Sequence, residues 1–260
     1  MEKHKLFFII NKIAIISMLL LSAMVSSCNT EKSKANTEVQ SAENTEIISD
    51  TLLEYHKDLN PELPTIGLLM YNGVLQSEVV AASDVFAKPN EDGTSLFNVV
   101  TIAENEKPIT TEEGLKFVPD YTFQNCPDLE VLFVPSAYDM YAQVNNPRIV
   151  RFIREKNKET KYMVSNCAGA QLIGESGIAD GHKIVTWIGG GEQLQKDYPN
   201  LKVQDDNLVT FVVDGKFFSS NGNLASYISA LNLLEEMTSK EHRKYVESYL
   251  YLDRLQNWKK

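Results

Sequence analysis

The sequence predicts an α/β fold, with a mainly parallel sheet covered by helices on both faces. Residues 65–71 and 129–135 are continuous apolar runs, which are typical of strands buried on both faces of a sheet. Predicted helices, several of ten or more residues, alternate with such strands, and this alternation favours parallel crossover connections. The chain has 260 residues, 43% of them hydrophobic, enough for one sizeable core. Ligands of parallel sheets bind at the carboxyl ends of the strands, so we expect a functional site at that edge.

The first half of the domain contains three predicted strands and two predicted helices. The strands are expected at 65–71, 98–103 and 129–135, and the helices at 75–86 and 148–156. The pair Asn72-Gly73 marks the turn after the first strand. Pro147 marks the start of the second helix, because its fixed φ suits the first helical position.

The second half repeats the alternation and adds a hairpin. Strands are expected at 162–165, 183–187, 208–213 and 216–219, and helices directly after Cys167 and at 192–196, 224–236 and 240–255. The pair Asp214-Gly215 is a hairpin signal between the last two strands.

The first 27 residues have the features of a bacterial lipoprotein signal peptide. Lysines at positions 3, 5 and 12 flank or precede an apolar run over 13–21 that is too short to span a bilayer. Small residues then lead to Cys28, as in a lipobox, where the cysteine is lipidated and becomes the mature N-terminus. The alternative is an ordinary secretory signal with a chance cysteine.

This pattern predicts three segments. Residues 1–27 form the signal peptide, residues 28–62 a flexible tether rich in polar residues, and residues 63–260 the folded domain. An acyl chain on Cys28 would anchor the protein at the cell envelope without spanning the membrane, on the periplasmic or the surface face.

Charge and composition argue against several classes of partner. The net charge is −10, and it becomes −12 without residues 1–27, which carry three lysines and one glutamate. Such acidity argues against nucleic-acid binding and against adhesion to anionic lipid. The sequence has no Cys/His cluster with zinc spacing, and Gly189-Gly190-Gly191 lacks the Lys-Ser/Thr pair of a phosphate loop. We therefore expect neither a metal nor a cofactor.

Residues 161–173 place a cysteine between a strand and a helix. Cys167 forms the corner, and small residues open the helix that follows. In such a nucleophile elbow the turn exposes the reactive atom above the sheet edge. The N–H groups and dipole at a helix N-terminus favour an anion, so we expect a lowered thiol pKa. From the segment alone, an inert buried cysteine is an equal alternative. With Cys28 lipidated, we expect Cys126 and Cys167 to be free thiols; a disulfide between them is the alternative in an oxidising compartment.

Taken together, these motifs resemble the ThiJ/PfpI family of the class I glutamine amidotransferase-like superfamily. The resemblance covers about residues 65–253 and is strongest to the isonitrile-hydratase-like branch, close to the parkinsonism-associated deglycase-like proteins. The motifs are Ser165-Asn166-Cys167-Ala168-Gly169-Ala170, Gly177-Ile178-Ala179-Asp180-Gly181, the run over 65–74, Ser83-Asp84-Val85-Phe86, Val131-Leu132-Phe133-Val134-Pro135 and Ser220-Asn221-Gly222.

The resemblance implies a flavodoxin-like three-layer sandwich that forms a homodimer. It also implies a site in which the elbow cysteine pairs with a carboxylic acid on the first helix. Six residues before Asp84, that position is Glu78. Beside a thiolate, its carboxyl group would be driven towards the protonated form and could donate a hydrogen bond to the sulfur. Without the family spacing, Glu78 reads as a solvent-facing acid early in a helix.

Other site residues are expected around this pair. The family's oxyanion donors correspond to the backbone N–H groups of Ala168 and Ala137. Asn72, Ser136 and Trp187 follow predicted strands, so we expect them to line the pocket.

Two positions depart from the family pattern. Many members carry a histidine near the thiol where this chain has Trp187, which transfers no protons, so no Cys-His dyad is expected there. His182 is expected at the opposite end of that strand. Where the family usually has two glycines, this chain has Ser136-Ala137, and a side chain would strain a backbone conformation open only to glycine.

Three functions stay open at this point. The first is a cysteine-dependent hydratase, lyase or hydrolase-like enzyme acting on a small molecule, with Cys167 as nucleophile and Glu78 handling protons. The missing histidine disfavours amide hydrolysis, which needs an acid for the leaving amine. The second is a redox-responsive or protective protein whose thiol is oxidised. The third is a non-catalytic binding lipoprotein in which Trp187 stacks on the ligand.

Overall fold

A computed structural model describes residues 58–255 of the chain. The predicted signal peptide, Cys28 and nearly all of the predicted tether lie outside these residues. Within residues 58–255, no helix is long and apolar enough to cross a bilayer.

A seven-stranded sheet forms the centre of the domain. The strands of the described region are β1 (Thr65–Leu69), β2 (Asn98–Ala103), β3 (Ile109–Thr110), β4 (Lys116–Phe117), β5 (Tyr121–Thr122), β6 (Val131–Val134), β7 (Tyr162–Asn166), β8 (Lys183–Ile184), β9 (Lys202–Val203), β10 (Phe211–Asp214) and β11 (Phe217–Ser220). The central order is β10-β11-β7-β6-β1-β2-β5, while β3 pairs with β4 and β8 with β9. Within the central sheet the pairs are parallel except for the antiparallel hairpin of β10 and β11. The predicted mainly parallel sheet is thus confirmed.

Helices flank this sheet and complete a three-layer sandwich. They are α1 (Gln76–Phe86), α2 (Tyr141–Val144), α3 (Pro147–Glu159), α4 (Gly169–Ser176), α5 (Gly191–Asp197), α6 (Ala225–Met237), α7 (Lys240–Tyr249) and α8 (Leu252–Leu255). Helix α1 packs against α6, and α3 packs against α4. The residues of β1, β6 and β7 are all buried, as expected of strands covered on both faces.

Local sequence signals explain where α3 begins. The Asn146 side chain accepts the backbone N–H of Arg148, with Pro147 in the first turn. Lys156 and Lys158 lie in the last turn, where positive charge complements the helix dipole. These caps fix a helix that carries buried Phe152 and Ile153 into the core.

Several predicted elements differ in extent from the observed ones; the strand expected over 208–213, for example, begins at Phe211. Two of the differences have a clear cause. The strand expected over 183–187 is only two residues long and lies outside the main sheet, because the following residues bond to side chains and to the elbow instead of to a neighbouring strand. The N–H of Val185 donates to Ser219 Oγ at 2.9 Å, and the Thr186 hydroxyl donates to the Cys167 carbonyl at 2.9 Å. The helix expected over 240–255 breaks at Tyr251, whose φ of 58° is left-handed.

Candidate active site

The predicted elbow is present at Cys167, between β7 and α4. Cys167 has a φ of 52°, a left-handed conformation that costs a non-glycine residue about 1–2 kcal/mol. Its N–H donates to the Ser220 carbonyl at 2.9 Å, and its own carbonyl accepts the Thr186 hydroxyl at 2.9 Å. Hydrogen bonds on both sides therefore hold the corner in this conformation.

Two glycines let three chain segments meet at the elbow. A Cβ on Gly169 would lie 2.2 Å from the Val134 carbonyl oxygen, so the start of α4 packs directly on the end of β6. A Cβ on Gly222 would lie 2.3 Å from Cys167 Cβ and 2.4 Å from Glu78 Oε1. The loop after β11 thus fits against the cysteine and the acid at once, and only glycine leaves room for it.

Glu78 lies in the first turn of α1, and its side chain is buried beside the elbow. The residue is 1% exposed. Its Oε2 accepts the Ser136 N–H at 2.7 Å, while Oε1 accepts the Ser136 hydroxyl at 3.1 Å and the Asn223 N–H at 3.3 Å. The alternative of a solvent-facing acid is therefore wrong.

Burial controls the ionisation of Glu78. Desolvation raises the pKa of its carboxyl group from 4.5 to about 7, against the lowering effect of its hydrogen bonds with Ser136 and Asn223, and the charge of Glu113 raises it further. Near neutral pH the group is therefore present in both the acid and the carboxylate form.

The expectation of a lowered thiol pKa is wrong. Burial, followed by the negative charge of Glu78, raises the pKa of Cys167 to about 11. The side chain of Ser136 and the backbone of Ala168 favour the thiolate and lower the pKa, but by less. The helix N-terminus is present as predicted, and desolvation outweighs it.

The two residues that replace the family's glycines have ordinary backbones. Among the described residues, positive φ at a non-glycine occurs at Cys167, Asn223 and Tyr251, so Ser136 and Ala137 avoid the strain expected of them. The Ala137 N–H donates to Met140 Sδ at 3.1 Å. Of the two predicted oxyanion donors, the Ala168 backbone favours the thiolate, whereas the Ala137 N–H is engaged by Met140.

Of the three residues predicted to line the pocket, one contacts Glu78 and the other two have different neighbours. Ser136 is fully buried and bonded to Glu78. Asn72 is exposed and lines a cavity of about 210 Å³ with Glu104 and Gln143, and Cys167 does not line that cavity. Trp187 is half-buried and packs on Gly190, where a Cβ would lie 1.9 Å from its ring.

His182 lies at the far end of the sheet, as predicted. Its Nδ1 is 3.5 Å from Asp214 Oδ2, and its ring lies beside Gly215 in the turn before β11. Because β11 runs parallel to β7, that turn lies at the amino end of β7, opposite Cys167.

Sequence reasoning missed Tyr71 as a neighbour of the pair. Its buried hydroxyl donates to the Pro135 carbonyl. Burial, and then the charges of Glu78 and Cys167, raise the pKa of Tyr71 well above its usual value, so it stays protonated. Its place directly before the Asn72-Gly73 turn, at the end of a buried strand, was the available signal.

Cys126 and Cys167 are both free thiols. Across residues 58–255, no group of three or more His, Cys, Asp or Glu side chains is arranged to hold a metal ion.

A sequence profile of the DJ-1/PfpI family matches residues 64–236, about two thirds of the chain. The chain belongs to the DJ-1/PfpI family. The predicted resemblance, to the family also known as ThiJ/PfpI, is confirmed. The chain is similar to the isonitrile hydratase of Pseudomonas putida, with 26% identity over 186 residues that cover 71% of this chain and 77% of that protein.

Solved structures share the fold. A ThiJ/PfpI family protein from Pseudomonas syringae superposes with a TM-score of 0.66 and 22% identity, covering 77% of this chain and 84% of that one. Drosophila melanogaster DJ-1beta gives a TM-score of 0.63 and 20% identity, covering 73% and 98%. The flavodoxin-like fold expected from the resemblance is therefore confirmed.

Proposed function

We propose that this DJ-1/PfpI protein is a cysteine-dependent hydratase or related lyase or hydrolase that acts on a small electrophilic molecule. Cys167 is the nucleophile and Glu78 exchanges protons with it. The observation that carries the proposal is the buried acid, 1% exposed, held against the elbow cysteine by Ser136 and Gly222. A buried carboxyl group of raised pKa next to a nucleophile is the arrangement expected of a general acid and base.

The chemistry needs no group beyond this chain and water. With an isonitrile, the Cys167 thiol gives its proton to Glu78 and the sulfur attacks the terminal carbon, so an S–C bond forms as one C–N π bond opens. The lone pair left on that carbon takes the proton from Glu78, which gives a thioimidate with a C=N bond. Water then adds to the same carbon as the C=N bond opens and the nitrogen takes a proton. Finally the S–C bond breaks with its electrons returning to sulfur, the new hydroxyl group gives its proton to the sulfur, and an N-substituted formamide leaves. The Ala168 N–H, at the start of the helix that follows Cys167, would supply a donor close to where negative charge develops.

The surroundings of the site favour an uncharged, nonpolar substrate. Tyr138, Ile188 and Leu224 are exposed by 77%, 69% and 79%. Each follows within two residues a group that bonds to Glu78 or Cys167: Ser136, Thr186 and Asn223 respectively. Exposed, largely apolar side chains on three segments that bond to the site would suit a ligand with an apolar part. An isonitrile fits this description, and a hydratase of that class is among the relatives.

The proposed location is the cell envelope, with the domain held by a lipid on Cys28 and assembled as a homodimer. The lysine-flanked apolar run and the small residues before Cys28 support the anchor. Replacing Cys28 by serine should move the protein from the membrane to the soluble fraction and abolish incorporation of labelled palmitate. Unchanged labelling of the variant would contradict the anchor.

Turnover assays test the proposed activity. Full-length wild type should hydrate cyclohexyl isonitrile or convert methylglyoxal, Cys167→Ser should lose that turnover, and Cys126→Ser should keep it, because Cys126 lies outside the site. Turnover unchanged in Cys167→Ser would overturn the proposal.

The same proteins separate the alternative functions. Selective oxidation of Cys167 by mild peroxide with no turnover would favour the redox function, although the raised thiol pKa works against rapid oxidation. If neither turnover nor selective oxidation is seen, the function that remains is that of a binding lipoprotein.

A further inference from the structure

Each glycine of the run 189–191 meets a different constraint. Gly189 has a φ of +87°, in the left-handed region. A Cβ on Gly190 would lie 1.9 Å from the ring of Trp187, and a Cβ on Gly191 would lie 3.0 Å from Asp206 Oδ1. The run therefore accommodates an indole ring against one glycine and a carboxyl group against the next.

Asp206 holds the turn that carries this indole ring. Residues 187–190 form a β-turn in which the Gly190 N–H donates to the Trp187 carbonyl at 3.0 Å, and the positive φ of Gly189 suits its third position. Asp206 Oδ2 accepts the N–H of Gly189 and, at 3.2 Å, the N–H of Gly190. Asp206 is 8% exposed, and a carboxyl group is seldom buried without such partners.

The chain just before the turn is tied to the elbow. The Thr186 hydroxyl donates to the Cys167 carbonyl at 2.9 Å, and the Thr186 carbonyl accepts the side-chain amide of Asn221 at 2.6 Å. The 187–190 turn is thus anchored at the elbow on one side and at Asp206 on the other. Its half-buried indole ring lies between these two anchors in the chain.

We propose that Asp206 is a positioning residue that fixes the indole ring of Trp187 as one wall of the substrate site at Cys167. The proposal rests on the proposed function and deepens it, because it assigns a cause to the preference for a substrate with an apolar part.

Removal of the Asp206 carboxyl group would release the turn. Glycine has more backbone freedom than any other residue, and the two hydrogen bonds to Asp206 restrict Gly189 and Gly190. The Trp187 ring packs on Gly190, so it would lose its fixed position at the same time. In the part of the chain that the structure describes, the Asp206 carboxyl group bonds to the turn and not to the elbow, so it acts through the ring.

Two alkylating reagents of different size test the wall without any turnover. The rates of iodoacetamide and N-cyclohexyl-iodoacetamide are measured at Cys167 by peptide mass spectrometry. The ratio of the cyclohexyl rate to the iodoacetamide rate cancels changes in thiol reactivity. We expect this ratio to be higher in the wild type than for glutathione, because the cyclohexyl ring packs on the indole of Trp187. Asp206→Ala should lower the ratio about fivefold, the effect of losing one partly buried apolar contact.

Two neighbouring substitutions serve as controls. Asp205 is exposed, and its carboxyl group accepts the N–H of Asn207, so Asp205→Ala should keep the wild-type ratio. Asp206→Asn should keep most of it, because the amide oxygen is still an acceptor for the turn. Thermal unfolding of each variant confirms that the fold is kept.

A double variant tests whether Asp206 acts through Trp187. Trp187→Ala should lower the ratio by a similar factor, and adding Asp206→Ala should lower it no further. A wild-type ratio in Asp206→Ala or in Trp187→Ala would overturn the proposal, as would an undiminished effect of Asp206→Ala in the Trp187→Ala background. The Trp187→Ala result decides the matter even if Asp206→Ala does not fold. Because alkylation needs no turnover, the wall is supported or refuted even if cyclohexyl isonitrile is not hydrated.

Discussion

Replacing Gly222 by alanine tests whether the acid and the cysteine are held together by a loop that has no room for a side chain. The new Cβ would lie 2.3 Å from Cys167 Cβ, 2.4 Å from Glu78 Oε1 and 3.1 Å from Cys167 Cα. None of these atoms is free to move away. The Cys167 backbone is bonded on both sides, and the Glu78 carboxylate accepts three hydrogen bonds. We therefore expect the overpacking cost of a rigid site, about 1–3 kcal/mol.

Backbone strain adds to this cost and must be separated from it. Gly222 has a φ of +87°, where an L-residue loses about 1–2 kcal/mol. Gly189 has the same φ of +87°, and a Cβ added there would have nothing within 4 Å, so Gly189→Ala carries the strain without the clash. In urea unfolding, Gly222→Ala should be less stable than Gly189→Ala by about the overpacking cost. Only Gly222→Ala should alter the alkylation rate of Cys167. Equal unfolding midpoints in the two variants would show that the loop has space to yield, and would refute the close packing argued here.

Two further predictions concern pH and the packing of the elbow. The folded-state pKa of Glu78 is about 7, above the ordinary 4.5, so its contribution to stability is complete below pH 4.5 and is lost as the pH rises to about 7. That loss is about 3 kcal/mol and should be absent from Glu78→Gln. Urea unfolding of both proteins at pH 4.5 and 7.5 measures it. An equal change in the free energy of unfolding between the two pH values in both proteins would contradict the buried charge. Gly169→Ala would place a Cβ 2.2 Å from the Val134 carbonyl oxygen, a backbone atom, so we expect a loss of about 1–3 kcal/mol or more in the same assay, with a wild-type midpoint as the contrary result.

Hydrophobic periodicity and turn residues were enough to predict the central sheet, but not the length of every strand. The apolar runs that became β1 and β6 and the hairpin at Gly215 are local signals, and each was found from its own segment. The shortened strand at β8 could not be found this way, because side chains of distant segments take the hydrogen bonds of Val185 and Thr186. Tertiary hydrogen-bond partners set the length of that strand, and a single stretch of sequence does not reveal them.

The candidate site likewise has one part that is encoded locally and other parts that depend on distant segments. The elbow is encoded locally, since small residues after Cys167 permit the approach of α4 to Val134. The identity of the acid depended on family spacing, and its burial depended on segments far from it in sequence, Ser136 and Gly222. The hydrogen bond of the Ser136 hydroxyl to Glu78 had no sequence signal, because a serine after a strand is common and its partners are set only by the fold.

The balance of charge in the site explains why the thiol pKa rises although the cysteine begins a helix. A helix N-terminus stabilises an anion by about 0.3–1 kcal/mol when exposed, less than one pKa unit. Desolvation of a buried group shifts a pKa by up to several units, and the negative charge of Glu78 acts in the same direction. The pocket therefore favours a single negative charge, held by the carboxylate or by the sulfur. When Glu78 is protonated, the charge that adds to the effect of burial is removed, so a thiolate on Cys167 forms more readily beside the neutral acid than beside the carboxylate.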